Sequence, residues 1–518
     1  MSTDTIRDLL LSHYGSSTAA LRWRAEDGTV EAQTWTEHLA EASALAAAIE
    51  SRFDPTKPPH VGVLLGNGPD LALHLSAAGL GGHVLVGLNN TRRGSALARD
   101  VAKGDCQFVV TDATHRELLS EVEVPVVERL DRPDGQAQVE PVDLTGDSLF
   151  MLIFTSGTGG DPKAVRVTHK KIATLAGYMS ERLGLTGDDV HYVSMPLFHS
   201  NAVMAGWTPA LATGACMAVA PFSATGFLPD VRAFDATYAN YVGKPLAYIL
   251  ATPAAPDDAD NPLRLVFGNE GGERDIEEFA RRFDCRVIDG FGSTENAVVI
   301  SRIPGTPPNA LGQPAENVAV LDPETGAECP RATYDAAGAV TNLDECVGEL
   351  VNVAGAGQFD GYYNDPEATA ERMRDGKYWS GDLAYRDADG WVYFAGRTSD
   401  WLRVDGENLA AAPIERLLLR HPAISEAAVY AVPDPLAGDQ LMATLVLRAE
   451  LTPTEFGAFL GAQEDLGTKS WPRFVAIADA IPRTATNKVL KRDLQAVGST
   501  AATWIRGDRD RDYETQPR

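Results

Sequence analysis

Cysteine is scarce and scattered in this chain. Five occur in 518 residues (Cys106, Cys216, Cys285, Cys329 and Cys346), odd in number and never in a CxxC pair. A disulfide framework and a zinc site are both disfavoured; buried free thiols in a reducing cytoplasm are expected. Basic charge is also in deficit. Lys and Arg number 45 against 72 Asp and Glu, a net charge of −27. That disfavours nucleic-acid and anionic-membrane binding, where affinity comes from cations on phosphates. Small anionic ligands, which need only a local basic site, remain open. Long apolar runs are missing too. Ser200–Pro229 carries no charge, but Gly206, Pro209, Gly214 and Pro221 interrupt it; it reads as a buried helix and strand, with no transmembrane segment expected. The N-terminus has early acids and no apolar core, so no signal peptide is expected. No internal repeat is present.

What is there is ordinary globular composition, 44% hydrophobic and 23% charged, which excludes a disordered or fibrous chain. Residues 60–67 read as a strand, PDLALHLSAAGL as a helix, HVLVGLNN as a strand, GSALARDVAK as a helix and CQFVVTD as a strand. Short apolar runs alternating with helices predict an α/β domain with parallel sheet. Around 320–395 the segments become short, Gly-bounded and rich in Val and aromatics (GELVNVAG, GWVYFAG), predicting a β-rich subdomain. After Arg397, helix, strand, strand and helix follow as a small α+β domain. The final RGDRDRDYETQPR lacks apolar periodicity and reads as a mobile tail.

The strongest chemical signal follows the apolar run Leu149–Ile153: Phe154-Thr155-Ser156-Gly157-Thr158-Gly159-Gly160-Asp161-Pro162-Lys163. Glycines let backbone N–H groups approach a ligand, hydroxyls add donors, and Lys163 adds charge; together they make a polyphosphate cradle. It is not a Walker A loop, because the Gly-Lys-Ser/Thr ending is absent. Glu295 beside Thr294 offers an oxygen ligand for Mg²⁺ next to a hydroxyl for a phosphate. Asp382 after Gly381 suits two ribose hydroxyls. Arg397 suits ribose or phosphate oxygens. Residues 469–492 hold six basic side chains, Lys488 among them, against Asp479 alone, so an acidic chain concentrates positive charge where a phosphorylated ligand would need it.

In order along the chain, these motifs resemble those of the adenylate-forming superfamily of acyl-CoA synthetases, luciferases and peptide-synthetase adenylation domains. The Thr155–Lys163 loop resembles TSGTTGxPKG, with Gly159 for a Thr and Ala164 for a Gly. Pro196-Leu197-Phe198-His199-Ser200 resembles the substrate-side motif, and Gly290-Phe291-Gly292-Ser293-Thr294-Glu295 the (Y/F)GxTE motif. Tyr378–Asp382 resembles Y-x-TGD. Gly396–Asn408 resembles the inter-domain hinge and its following loop, and Pro482–Lys488 the P-x-TxTGK motif, with Asn487 for the Gly. FGNEGGERDIEEF and GRTSDWLRVDGENL resemble the fatty-acid-transport-protein and actinobacterial fatty-acyl or steroid-acid CoA ligase branch.

The resemblance implies a large N-terminal domain (1–398) of two parallel-sheet subdomains and a β-rich one. A small mobile α+β domain (399–499) and a flexible tail (500–518) follow. It implies MgATP-dependent formation of an acyl-adenylate and then a coenzyme A thioester in the cytoplasm, by a monomer or homodimer; carrier-protein loading or nitrite activation is the alternative. Lys488, Thr294, Glu295 and His199 would be catalytic, with Glu295 the Mg²⁺ ligand. Thr155, Ser156, Gly157, Thr158, Gly159, Gly160, Lys163, Gly268, Asn269, Glu270, Asp289, Gly290, Phe291, Gly292, Ser293, Asp382, Arg397, Arg403 and Gly406 would bind nucleotide or coenzyme A. Two further departures stand out. Ser399 occupies a hinge position usually held by Asp or Lys. Asn296 stands where many relatives have Gly, which predicts a shorter or more polar pocket beyond Glu295. Gly268, Gly271 and Gly272 would leave room for a bulky acid.

Overall fold

The computed structural model describes residues 4–128, 130, 143–155, 162–336, 340–397, 401–404, 407–434, 438–463, 466, 470–483, 489–507 and 512–516. Chain contacts divide it into two units, Met1–Asn296 with Gln358–Glu371, and Ala297–Gly357 with Arg372–Arg518.

The first unit holds two sheets. One has six strands in the order Val126–Val127, Phe108–Thr111, His60–Leu64, Val84–Gly87, Leu149–Thr155 and Lys163–Thr168. All neighbours are parallel except the last pair, an antiparallel hairpin. The other has seven, in the order Arg286–Asp289, Leu265–Asn269, Tyr238–Val242, Val190–Val193, Cys216–Val219, Ala19–Arg24 and Val30–Thr34, parallel but for the last. Strands such as His60–Leu64, buried throughout, are apolar on both faces because helices cover both. Between the sheets, helices Trp35–Glu50 and Pro69–Gly81 contribute to one continuous core with Trp35, Phe150 and Trp207. The first helix is capped by Thr34 and Glu37 reciprocally, satisfying donors the helix itself cannot. The second begins at Pro69 and ends at Gly82 in the left-handed conformation, the expected asymmetry. The charge-free stretch forms a π-type turn Ala202–Trp207, a helix Thr208–Thr213 and the buried strand Cys216–Val219. No described helix is long and apolar enough to cross a membrane. All five cysteines are buried and free.

The second unit holds a sheet ordered Ile300–Ser301, Ala310–Pro314, Val392–Arg397, Lys377–Arg386, Gly348–Asn352 and Val318–Leu321, with Met373–Arg374 on Lys377–Arg386. It also holds the two-stranded Trp401–Val404/Glu407–Ala410 pair. A five-stranded sheet runs Ile424–Asp434, Gly438–Leu447, Phe474–Ile477, Trp504–Arg506 and Tyr513–Thr515. The last two strands correct the expectation of a mobile tail over 500–518. Trp504 and Tyr513 are buried beside Phe456, and the Tyr513 hydroxyl donates to the Pro472 carbonyl at 2.5 Å. Two aromatic anchors hold these two strands, too few to register as periodicity in a charged sequence.

Candidate active site

The Leu149–Thr155/Lys163–Thr168 hairpin pairs Thr155 directly with Lys163, so the two ends of the proposed phosphate loop stand side by side. Ser156, Gly157, Thr158, Gly159 and Gly160 lie outside the described residues. The Lys163 ammonium is 3.2 Å from Glu371 Oε2 and 5.2 Å from the centre of the Tyr362 ring. Tyr362 is buried, bridges to Val165 by a β-type pairing, and donates its hydroxyl to Glu295 Oε1 at 2.8 Å. One tyrosine therefore joins the loop lysine to the motif carboxylate, the ring facing one and the hydroxyl the other.

Thr294 is buried, and its hydroxyl donates to Ser200 Oγ at 2.9 Å, bringing the (Y/F)GxTE motif against the motif containing His199. His199 Nδ1 accepts a long bond from the Asn201 backbone N–H, 3.4 Å. Asn201 then links three segments: its side-chain amide donates to the Tyr241 carbonyl (2.9 Å) and to Asn269 Oδ1 (3.2 Å), and accepts from Asn240 at 2.7 Å. Asn269 in turn donates to the Gly290 carbonyl at 2.6 Å. Gly268 through Glu270 and Asp289 through Ser293 thus meet at the ends of two neighbouring parallel strands, where open α/β sheets bind ligands. Exposed Glu270 and half-buried Asn296 both have left-handed backbones, φ +63° and +53°. Asn tolerates this conformation better than most residues, and the Asn296 side chain donates to Gln358 Oε1 at 2.5 Å.

The glycine expectation is corrected here. A Cβ on Gly268 would overlap the Tyr241 ring, and one on Gly271 would lie 2.6 Å from the Tyr241 hydroxyl. That hydroxyl donates to Asp289 Oδ2 at 2.6 Å, which also accepts from the Gly271 N–H at 2.9 Å. The space Gly268 and Gly271 leave is filled by tyrosine, not held open for a bulky acid, and a Cβ on Gly272 would meet Asp275 Oδ2 at 3.1 Å.

In the second unit, Asp382 and Arg397 are register partners on adjacent strands. Gly381 before Asp382 has φ +76°, and any Cβ there would strike the Arg372 guanidinium; its N–H donates to buried Glu349 at 2.6 Å. Only the backbones of Arg397 and Arg403 are described, Arg403 opposite Asn408 on the small hairpin. Gly406, Ser399 and Lys488 lie outside the described residues.

The family described as AMP-binding enzyme matches residues 13–363, and its C-terminal domain matches 413–488. The chain belongs to the AMP-binding enzyme family. Among curated relatives, a medium/long-chain-fatty-acid–CoA ligase of Mycobacterium marinum is 54% identical over 90% of this chain and 92% of its own. A steroid-22-oyl-CoA synthetase of Rhodococcus jostii is 45% identical over 95% and 90%. Among solved structures, ATP-bound MatB from Rhodopseudomonas palustris superposes with a TM-score of 0.82 at 22% identity, covering 96% of this chain and 99% of that one. O-succinylbenzoate coenzyme A synthetase from Bacillus subtilis, in complex with AMP, gives 0.74 at 24%, covering 94% and 98%.

Several residues of this AMP-binding enzyme escaped the sequence reading. Lys171, only 3% exposed, donates to the Thr294 and Glu295 carbonyls at 2.9 Å each. Burial pulls its ammonium down to about 8, against the opposing pull of Glu295 and Asp360. Tyr362, Asn201, Asn240 and Tyr241 complete the set.

Proposed function

We propose that this chain is an ATP-dependent, AMP-forming acid:CoA ligase whose acid is a fatty or bulky, steroid-like carboxylate. The observation that carries the reading is near full-length identity of 54% and 45% to relatives named as ligases of those two acid classes. In the first step the acid's carboxylate oxygen attacks the α-phosphorus of ATP and the bond to pyrophosphate breaks, leaving an acyl-adenylate. In the second, the coenzyme A thiolate adds to the acyl carbonyl and AMP departs.

Such chemistry depends on positioning and charge neutralisation. The Thr155–Gly160 loop and Lys163 are suited to the polyphosphate, Thr294 to a phosphate oxygen, and Asp382 with Arg397 to the ribose. Asp289, Gly290 and Phe291, with Gly268, Asn269 and Glu270, form the strand-end crevice for the base, and Gly292 and Ser293 continue it toward Thr294. His199 belongs to the acyl side. Arg403 and Gly406 belong to the loop beside which coenzyme A would enter when the small domain carrying Lys488 turns. Glu295 fits a nucleotide-borne Mg²⁺: such an ion needs only one or two protein carboxylates, its other ligands being phosphate and water oxygens. Among the described residues no cluster of three or more His, Cys, Asp or Glu could hold a metal by itself. When bound, Mg²⁺ supplies neutralisation of polyphosphate charge.

The test is the Lys488→Ala variant. A charge-assisted contact is worth about 1.5–3 kcal/mol, so ATP–pyrophosphate exchange should fall roughly 10- to 150-fold while thioester formation from supplied acyl-adenylate persists. Unchanged exchange would remove Lys488 from the first step.

A further inference from the structure

Thr294 and Glu295 lie in a segment with neither helix nor strand, so their carbonyls have no ladder to join. A buried carbonyl needs a donor. Here the donor to both is one buried ammonium, Lys171 Nζ. Lys171 stands in the first turn of helix His169–Leu183. Its backbone N–H donates to the Thr168 N-cap hydroxyl at 3.3 Å, and that hydroxyl donates to Asp360 Oδ2 at 3.1 Å. The motif is thereby fixed from three directions: Lys171 on its backbone, Ser200 on the Thr294 hydroxyl, Tyr362 on the Glu295 carboxylate. A neutral amide would satisfy the same carbonyls with a far smaller desolvation cost. The charge is retained where Glu295 and Asp360 face it.

We infer that Lys171 is a positioning residue for the nucleotide reaction: by gripping the Thr294 and Glu295 carbonyls, it directs the threonine hydroxyl and glutamate carboxylate toward Mg-polyphosphate. The inference rests on the proposed reading of Glu295 as the carboxylate that meets Mg²⁺. Its logic is local. A turn hydrogen bond from the Asn296 N–H to the Ser293 carbonyl, 3.2 Å, spans the pair and leaves the Thr294 and Glu295 carbonyls to Lys171.

The test compares full-length wild type with Lys171→Met by calorimetry, using the non-reacting Mg·α,β-methylene-ATP and, separately, AMP without metal. Lys171→Met should weaken the Mg-nucleotide at least tenfold and leave metal-free AMP within about threefold. Equal affinity of both proteins for the Mg-nucleotide overturns the inference. So does parallel loss of both ligands, which would mark Lys171 as a packing residue. Failure of wild type itself to bind the Mg-nucleotide would instead overturn the underlying site reading. Should Lys171→Met not accumulate folded, Lys171→Arg keeps charge and donors on a longer arm. It should raise the Mg²⁺ concentration needed for half-saturation, and an unchanged requirement overturns the inference.

Discussion

Replacing Tyr362 with Phe removes a single oxygen and isolates one link of the site. The Tyr362 hydroxyl donates to Glu295 Oε1 at 2.8 Å, while its ring stands 5.2 Å from the Lys163 ammonium. Phe keeps the ring and its contact with Lys163, and loses only the donor to a carboxylate. A hydrogen bond to a charged group contributes about 1.5–3 kcal/mol. Because Glu295 is half-buried, water replaces part of it, so the loss sits near 1–1.5 kcal/mol, a roughly five- to tenfold fall in kcat/KM for MgATP in ATP–pyrophosphate exchange. Tyr362→Leu loses the ring as well. A partly exposed cation–π contact adds about 0.5–1 kcal/mol, predicting a further two- to fivefold decrease. Exchange in Tyr362→Phe equal to wild type, or equal to Tyr362→Leu, would refute the idea that hydroxyl and ring serve separate partners.

Two further predictions concern the scaffold. Gly268→Ala places a Cβ against the Tyr241 ring; overpacking of this kind costs about 1–3 kcal/mol, read as a lowered urea midpoint, and an unchanged midpoint would show that the ring yields freely. Burial holds His38, His169 and His191 down to about 4, below the unfolded value near 6.5. The unfolded chain therefore binds protons the folded one refuses. Stability should be full above about pH 6.5 and decline toward pH 4, by on the order of 1–2 kcal/mol per histidine at pH 5; a urea midpoint flat between pH 7 and 5 would contradict this.

Much of the fold was legible because local signals agreed with tertiary demand. GSALARDVAK forms the helix Gly94–Lys103, its Leu97 and Val101 one turn apart on the buried side. The strands around it are apolar runs bounded by turns. What escaped depends on distance in the chain. Lys171 meets its carbonyl partners across more than a hundred residues, and nothing in THKKIATL distinguishes it from exposed Lys170. Tyr241 is decisive only because it faces Gly268 on the adjacent strand. A glycine read alone suggests empty space; read with its neighbour it marks a filled one. Trp504 and Tyr513 show the same limit, since two anchors suffice in three dimensions where periodicity needs several.

The central claim is tested most directly by incubating the protein with ATP, Mg²⁺ and coenzyme A across fatty, steroid and aryl acids and nitrite, and identifying products by mass. The account predicts AMP, pyrophosphate and an acyl-CoA from a fatty or steroid acid, with turnover dependent on coenzyme A. Adenylate formation that coenzyme A never accelerates, for any acid in the panel, would contradict it.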